Sequence, residues 1–190
     1  TLSFKYADLL KKKKIKRIIT ILQNNFDHIA IFISCLINQI EIMPLVENTN
    51  NFNFLKFRKK SDLILTKSNL EKFKRKLVVK GQTKNKILKR KNFSNKKFNY
   101  ISTFTSGTTG IPKIFKLSNI NKYNRAYHSI KFFKFNKSDV FYINTSLRFT
   151  ISQRIMHTTN ILGAKCILNN GFSIFNLKRD VLKNSITRLY

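Results

Sequence analysis

Residues 100–117 read YISTFTSGTTGIPKIFKL, and the fold turns on how the middle of that stretch is interpreted. Its ends are rich in β-branched and aromatic residues, so Tyr100 to Thr105 and Ile114 to Leu117 are expected to be two short strands. Between the strands, Thr105-Ser106-Gly107-Thr108-Thr109-Gly110-Ile111-Pro112-Lys113 concentrates glycine, hydroxyl groups, one proline and one lysine. The glycines permit positive φ and leave N–H groups bare to face inward, and the hydroxyls add further donors. Such a nest fits phosphate oxygens. Lys113 adds a mobile point charge for the outer phosphates. In the commoner phosphate loop, glycine, four residues, glycine, lysine and Ser/Thr open a helix. Here two residues separate Gly107 from Gly110 and two separate Gly110 from Lys113, and the residues after Lys113 have strand character. The implied geometry is a loop joining two strands. A plain hairpin turn needs only about two to five residues and no such set of hydroxyls with a lysine.

On both sides of this stretch the apolar period alternates between the helical and the extended kind. Phe26, Ile29, Ile33, Leu36 and Ile37 recur at spacings of three and four and predict a helix, after which Ile40, Ile42 and Leu45 bracket Glu41 as in a strand. Pro44 is expected to close that strand. Phe54, Leu55 and Phe57 suggest a short helix, and Asp62 to Thr66 a strand. Lys67 to Lys97 is low-complexity and basic with few acids, which predicts a connecting loop or exposed flank, because like charges repel and stay solvated. Phe73, Phe93 and Phe98 are too sparse there for a base-stacking platform. Downstream, Ser118 is placed to cap a helix running to about Phe135. Val140 to Asn144 is expected to be a strand, Ile151 to Leu162 a helix ending at a left-handed Gly163, Ala164 to Leu168 a strand, and Asn176 to Ser185 a last helix. Strands alternating with helices predict an α/β fold, layered sheets with flanking helices and mostly parallel neighbours.

The chain has 190 residues, enough for one domain or two small lobes sharing a core. Lys and Arg number 38 against 8 Asp and Glu, a net charge of +30 that would ordinarily point to nucleic acid or an anionic membrane. That signal is discounted, because about half of the residues are Lys, Asn, Ile or Phe, whose codons are rich in A and T. The apolar share of 42% also excludes a disordered basic tail. Cys35 and Cys166 lack the spacing of a metal clip or disulfide framework and read as free buried thiols of a reducing cytoplasm. Ile29 to Ile37 is too short to span a bilayer. Thr1 stands where an initiator Met would be expected and no charged-then-apolar leader follows it, so the chain reads as a piece of a longer frame rather than a secreted precursor. His28, His128 and His157 fall in helical segments without a carboxylate at helical spacing and read as packing or surface residues; no metal site is expected.

Phe104 to Lys113 resembles the signature loop of the adenylate-forming superfamily, which comprises acyl- and aryl-CoA synthetases, peptide-synthetase adenylation domains and luciferases. The nine-residue core matches at every position, and Ile114 stands where the family often has glycine. Thr1 to Leu9 is similar to the family's opening "TLTYxEL" segment, and Ile29 to Leu45 to its "A-x-L-A-x-L-K-A-G-A-x-x-V-P-L" helix and strand. Leu117-Ser118-Asn119 resembles "L-T-H", and Leu162 to Leu168 resembles "L-x-G-A-x-x-V-L". The resemblance implies that residues 1–190 are the first part of a large N-terminal AMP-binding domain, without its C-terminal domain. It implies ATP bound with Mg2+, attack of a substrate carboxylate on the α-phosphorus, and acyl transfer to a thiol of CoA or of a phosphopantetheine carrier. By position, Thr105, Ser106, Thr108 and Thr109 would donate to phosphate oxygens, Gly107 and Gly110 would let the backbone approach, and Lys113 would pair with the outer phosphates as the catalytic cation.

Phe149 and Thr150 fall where relatives line the acyl pocket with an aromatic-His pair or hold an amino group with Asp. Thr150 carries no charge, which favours a carboxylic acid other than an α-amino acid, and Arg148 is expected to face solvent. The family's adenine-binding "Y-G-x-T-E" segment, its ribose-binding aspartate and its C-terminal lysine have no counterpart in the 190 residues, so the fragment alone is expected to bind ATP poorly. The rival readings are a basic nucleic-acid-binding or scaffold protein derived from such a ligase, with Lys67 to Lys97 as its contact, and a degenerate product without function.

Overall fold

The computed structural model describes residues 2–12, 15–45, 59–78, 97–105, 113–169 and 173–189. In chain order these form α1 (Leu2–Lys12), β1 (Arg17–Ile21), α2 (Phe26–Asn38), β2 (Glu41–Leu45), β3 (Asp62–Thr66), α3 (Lys67–Val78), β4 (Asn99–Thr105), β5 (Lys113–Ser118), α4 (Asn119–Phe132), β6 (Val140–Ile143), α5 (Thr150–Leu162), β7 (Lys165–Leu168), α6 (Ile174–Asn184) and β8 (Arg188–Leu189). They divide into two compact units, Thr1–Leu22 with Ala30–Asn119, and Gln23–Ile29 with Ile120–Tyr190. The mixed α/β class is as expected, and among the described residues no helix is long and apolar enough to cross a membrane.

The first unit is built on a five-stranded sheet in the order β3-β1-β2-β4-β5. β1 pairs in parallel with β2 and β3, β2 in parallel with β4, and only β5 runs antiparallel, against β4. β1 is a nearly continuous apolar run with Ile18 and Ile19 buried, as a strand covered on both faces requires. One cluster of the core packs Ile19, Met43 and Leu45 against Ile21, Ile64, Phe104 and Ile114. The helices are tied down by polar contacts. The Ser34 hydroxyl of α2 donates to the Ser3 carbonyl at 2.7 Å and the Asn38 amide to the Ala7 carbonyl at 2.8 Å, both on α1. The Tyr100 hydroxyl of β4 donates to the Phe32 carbonyl at 2.9 Å.

Two expectations are overturned here. The first third of the basic stretch 67–97 is not a loop but helix α3, because Leu70 and Phe73 lie one turn apart and are buried, with Phe73 stacked on Tyr6 of α1 at 5.8 Å. Its start is capped reciprocally: the Thr66 N–H donates to Asn69 Oδ1 at 2.8 Å and the Asn69 N–H to Thr66 Oγ1 at 3.4 Å. Lys67 and Lys72 are exposed on the remaining faces, where solvent screens them. Pro44 does not close its strand; it lies within β2 opposite Thr20 of β1, while the pairing of β2 with β4 is registered at Ile42 and Ile101, before the proline is reached. The sequence pattern predicted no element at α1 or β1. The expected helix at Phe54 to Phe57 and the remainder of 67–97 up to residue 96 lie outside the described residues.

The second unit carries a three-stranded parallel sheet in the order β7-β6-β8. Successive side chains of β6 point to opposite faces. Phe141 meets Phe135 edge-on at 5.1 Å on the side of α5, and the Tyr142 hydroxyl reaches Asp180 of α6 at 3.3 Å on the other. Gly163 ends α5 with φ of 65° as expected, a conformation that costs glycine no Cβ clash. The last helix begins at Ile174 rather than Asn176, with Ser173 accepting from the Asn176 N–H, and the chain closes in the short strand β8.

Candidate functional site

The two strands expected around the glycine-rich segment are present. β4 ends at Thr105, β5 begins at Lys113, and the antiparallel register sets these two residues opposite each other. The rung behind them is apolar: Phe104 faces Ile114, and both pack on Ile19, Met43 and Leu45. Ile114, at the position where the resemblance leads one to expect glycine, therefore has a packing role that a glycine would lack. Lys113 itself is exposed. Ser106, Gly107, Thr108, Thr109 and Gly110 lie outside the described residues, as does the side chain of Thr105. The far end of the hairpin is fixed by Asn119, whose Oδ1 accepts from the Phe98 N–H at 3.1 Å while its own N–H donates to the Phe98 carbonyl at 3.2 Å. The strand pair is thus pinned by an apolar rung beside Thr105 and Lys113 and by a two-way amide clasp at its other end.

Phe149 and Thr150 belong to the second unit, at the start of α5. Phe149 has extended geometry just before the helix and is 45% exposed, and Thr150 is half-buried. Arg148 does not simply face solvent; its guanidinium lies over the Phe149 ring at 4.6 Å, where the ring's negative face attracts the cation. The turn that presents these residues is clamped from two directions by side chains that no sequence motif singled out. Asn24 donates to the carbonyls of Thr145 at 2.8 Å and Asn169 at 2.9 Å, and its Oδ1 accepts from the Leu147 N–H at 2.9 Å. The Gln153 amide donates to the carbonyls of Leu147 at 2.9 Å and Arg148 at 3.1 Å, and its Oε1 accepts from the Lys122 ammonium. Ser152 donates to the Thr145 carbonyl at 3.1 Å. Backbone groups of a turn that are withdrawn from water must find partners, and these side chains supply them. Neighbouring Asn25 caps α2, its side chain accepting from the His28 N–H at 2.7 Å, but nothing local distinguishes Asn24 as a hub.

His28, His157 and Lys122 are buried in this unit, and all three shift the same way. Burial lowers His28 to about 4, partly opposed by a hydrogen bond with the Gln23 backbone. Burial, aided by the Lys122 charge, lowers His157 to about 3. Burial, aided by the charges of Arg125 and Arg154, lowers Lys122 to about 7. Each group binds its proton more readily in the unfolded chain, so stability is lost as pH falls: through Lys122 between its ordinary 10.5 and about 7, and through the histidines between 6.5 and about 3 to 4. The midpoint of thermal unfolding is expected to rise with pH from about 4 to about 8. A flat or falling profile over that range would contradict the burial of these groups.

No family model and no curated protein matches the sequence. Solved structures do match. The O-succinylbenzoate coenzyme A synthetase MenE from Bacillus subtilis, in complex with ATP and magnesium ion, superposes with a TM-score of 0.74 at 16% identity, covering 99% of this chain and 54% of that one. The inhibitor-bound N-terminal domain of FACL13 from Mycobacterium tuberculosis gives 0.73 at 13% identity, covering 97% of this chain and 52% of that one. VinN gives 0.73 at 14% identity over 99% and 52%. The fold is that of the N-terminal domain of adenylate-forming enzymes. The chain spans about half the length of these solved structures, and at such low identity the likeness lies in the fold.

Proposed function

We propose that this chain is the first half of an ATP-dependent carboxylate-activating domain in which Thr105 to Lys113 receive the nucleotide's phosphates. What supports this most is where the sequence segment falls: its glycines, hydroxyls and lysine stand between β4 and β5 in a fold shared with a synthetase solved with ATP and magnesium. In the proposed reaction an oxygen of the substrate carboxylate bonds to the α-phosphorus, the bond from that phosphorus to the pyrophosphate breaks, and the acyl-adenylate forms. A thiolate of CoA or of a carrier protein then attacks the acyl carbon and AMP departs. Thr105, Ser106, Thr108 and Thr109 donate to phosphate oxygens, Gly107 and Gly110 let the main chain approach, and Lys113 neutralises charge on the leaving pyrophosphate.

The donor set suits phosphate rather than a protein-bound metal. Residues 105–113 hold hydroxyls, main-chain N–H groups and an ammonium but no carboxylate, and among the described residues no group of three or more His, Cys, Asp or Glu could hold an ion. Mg2+ would arrive on ATP and neutralise phosphate charge. Phe149, backed by Arg148, and uncharged Thr150 are the proposed acyl-side residues; lacking a carboxylate to hold an ammonium, they favour a carboxylic acid other than an α-amino acid. The test is carboxylate-dependent exchange of pyrophosphate into ATP by the complete protein that carries this chain, across a panel of carboxylic and amino acids. Exchange with a non-amino acid is expected. Exchange driven only by amino acids overturns the substrate reading, and a folded protein inert with the whole panel overturns the activation reading.

A further inference from the structure

α6 is the reverse of an ordinary surface helix. At about 100° per residue, Asn176, Leu177, Asp180 and Asn184 share the arc turned toward the sheet, where the attachments are polar. Asp180 accepts from the Tyr142 hydroxyl, and Asn184 accepts from the Lys165 ammonium at 3.5 Å. The opposite arc carries Ile174, Phe175, Val181 and Leu182. None of the helix's residues is buried, and Phe175 is 83%, Leu182 76% and Ile174 66% exposed. A helix of a globular domain normally turns its apolar stripe inward, so an apolar stripe facing out requires a partner beyond this unit's own core.

The charges around the stripe say which kind. Lys178 lies within it and Lys183 flanks it, whereas the helix's single acid, Asp180, is turned to Tyr142 and paired with Arg179, whose guanidinium donates to its Oδ1 at 3.3 Å. A second copy would bring a like-charged face to this one. An acidic peptide would satisfy the lysines, but a lone convex helix offers no groove to hold its apolar side chains. An anionic bilayer supplies both parts at once, with negative headgroups at the level of the ammonium groups and an apolar layer just beneath, and Lys178 can extend its stem to the headgroups while Phe175 and Leu182 enter. We propose that α6 is an interfacial helix that docks on an anionic phospholipid surface. The inference is independent of the nucleotide-binding reading.

The chain contains no Trp, so Phe175→Trp makes a single fluorophore in the stripe. With the full chain and vesicles of phosphatidylcholine mixed with phosphatidylglycerol, the emission is expected to shift to the blue and to be quenched by lipids brominated along their acyl chains. Vesicles of phosphatidylcholine alone are expected to leave it unchanged. Phe175→Ser with Leu182→Ser is expected to weaken partitioning by about tenfold or more, while Phe132→Ser, at the exposed end of α4, leaves it unaltered. Three outcomes would overturn the proposal: no binding to anionic vesicles; binding in which the Phe175→Trp probe is neither shifted nor quenched, which is diffuse charge attraction; or a blue shift with polyglutamate and none with vesicles, which is a protein partner.

Discussion

Lys113→Ala is expected to lower carboxylate-dependent pyrophosphate exchange by about 10²–10³-fold in the complete protein, a loss of the size seen when one preorganised donor is removed from a developing anion. Its thermal unfolding should scarcely move. Lys113 is the first residue of β5 and is exposed, whereas the packing of that strand end comes from Ile114 and Phe104 behind it. A substitution at such a surface position usually changes stability by no more than about 0.5 kcal/mol. The two readouts therefore separate chemistry from folding. An unchanged exchange rate would reject the phosphate-gripping role, and a large fall in unfolding temperature would show that the lysine serves the hairpin instead. Lys113→Arg keeps the charge and is expected to recover part of the rate, since a point charge matters more here than fork geometry.

The second large effect is expected at Asp62. One residue from each strand of the first sheet joins a polar row: Asp62 of β3, Arg17 of β1, Glu41 of β2, Ser102 of β4 and Lys116 of β5. The Arg17 guanidinium holds Asp62 with both forks, its Nε donating to Oδ1 at 3.1 Å and its Nη2 to Oδ2, and approaches Glu41 at 3.9 Å. Ser102 donates to Glu41, whose other oxygen lies 3.9 Å from the Lys116 ammonium. The Asp62 side chain is 1% exposed and that of Arg17 8%. Asp62→Ala removes the carboxylate that two guanidinium nitrogens of a buried arginine hold, and breaking such a pair typically costs about 3–5 kcal/mol. The unfolding midpoint is expected to fall by roughly 10 °C, at about 2–4 °C per kcal/mol for a chain of this size. Asp62→Asn keeps an acceptor and should lose less. Loss of under about 1 kcal/mol in Asp62→Ala would mean that Arg17 finds water or Glu41 at no cost.

Much of the architecture was legible in the residue pattern alone. α2 followed by β2, β3 to the residue, the β4 and β5 pair, and α5 ending at Gly163 before β7 all derive from local period and punctuation, because each of those signals lies within one element. α3 was misread, since a run of lysines obscured Leu70 and Phe73 one turn apart and the cap formed by Thr66 and Asn69 was overlooked. β1 was missed for a related reason: RIITI comes directly after a lysine tract that obscured its apolar run.

At the candidate site the division is sharper. Residue types and spacings along the chain were enough to predict the strands on either side of residues 105–113 and the α/β class, because those signals are local. It took the folded arrangement to set Thr105 opposite Lys113, to place Ile114 in the core, to bring Asn24 to carbonyls 121 and 145 residues away, and to turn the apolar side of α6 outward. Pairing partners and facing directions depend on which distant segments meet. Free energies of burial and hydrogen bonding fix those meetings, and no single segment carries them.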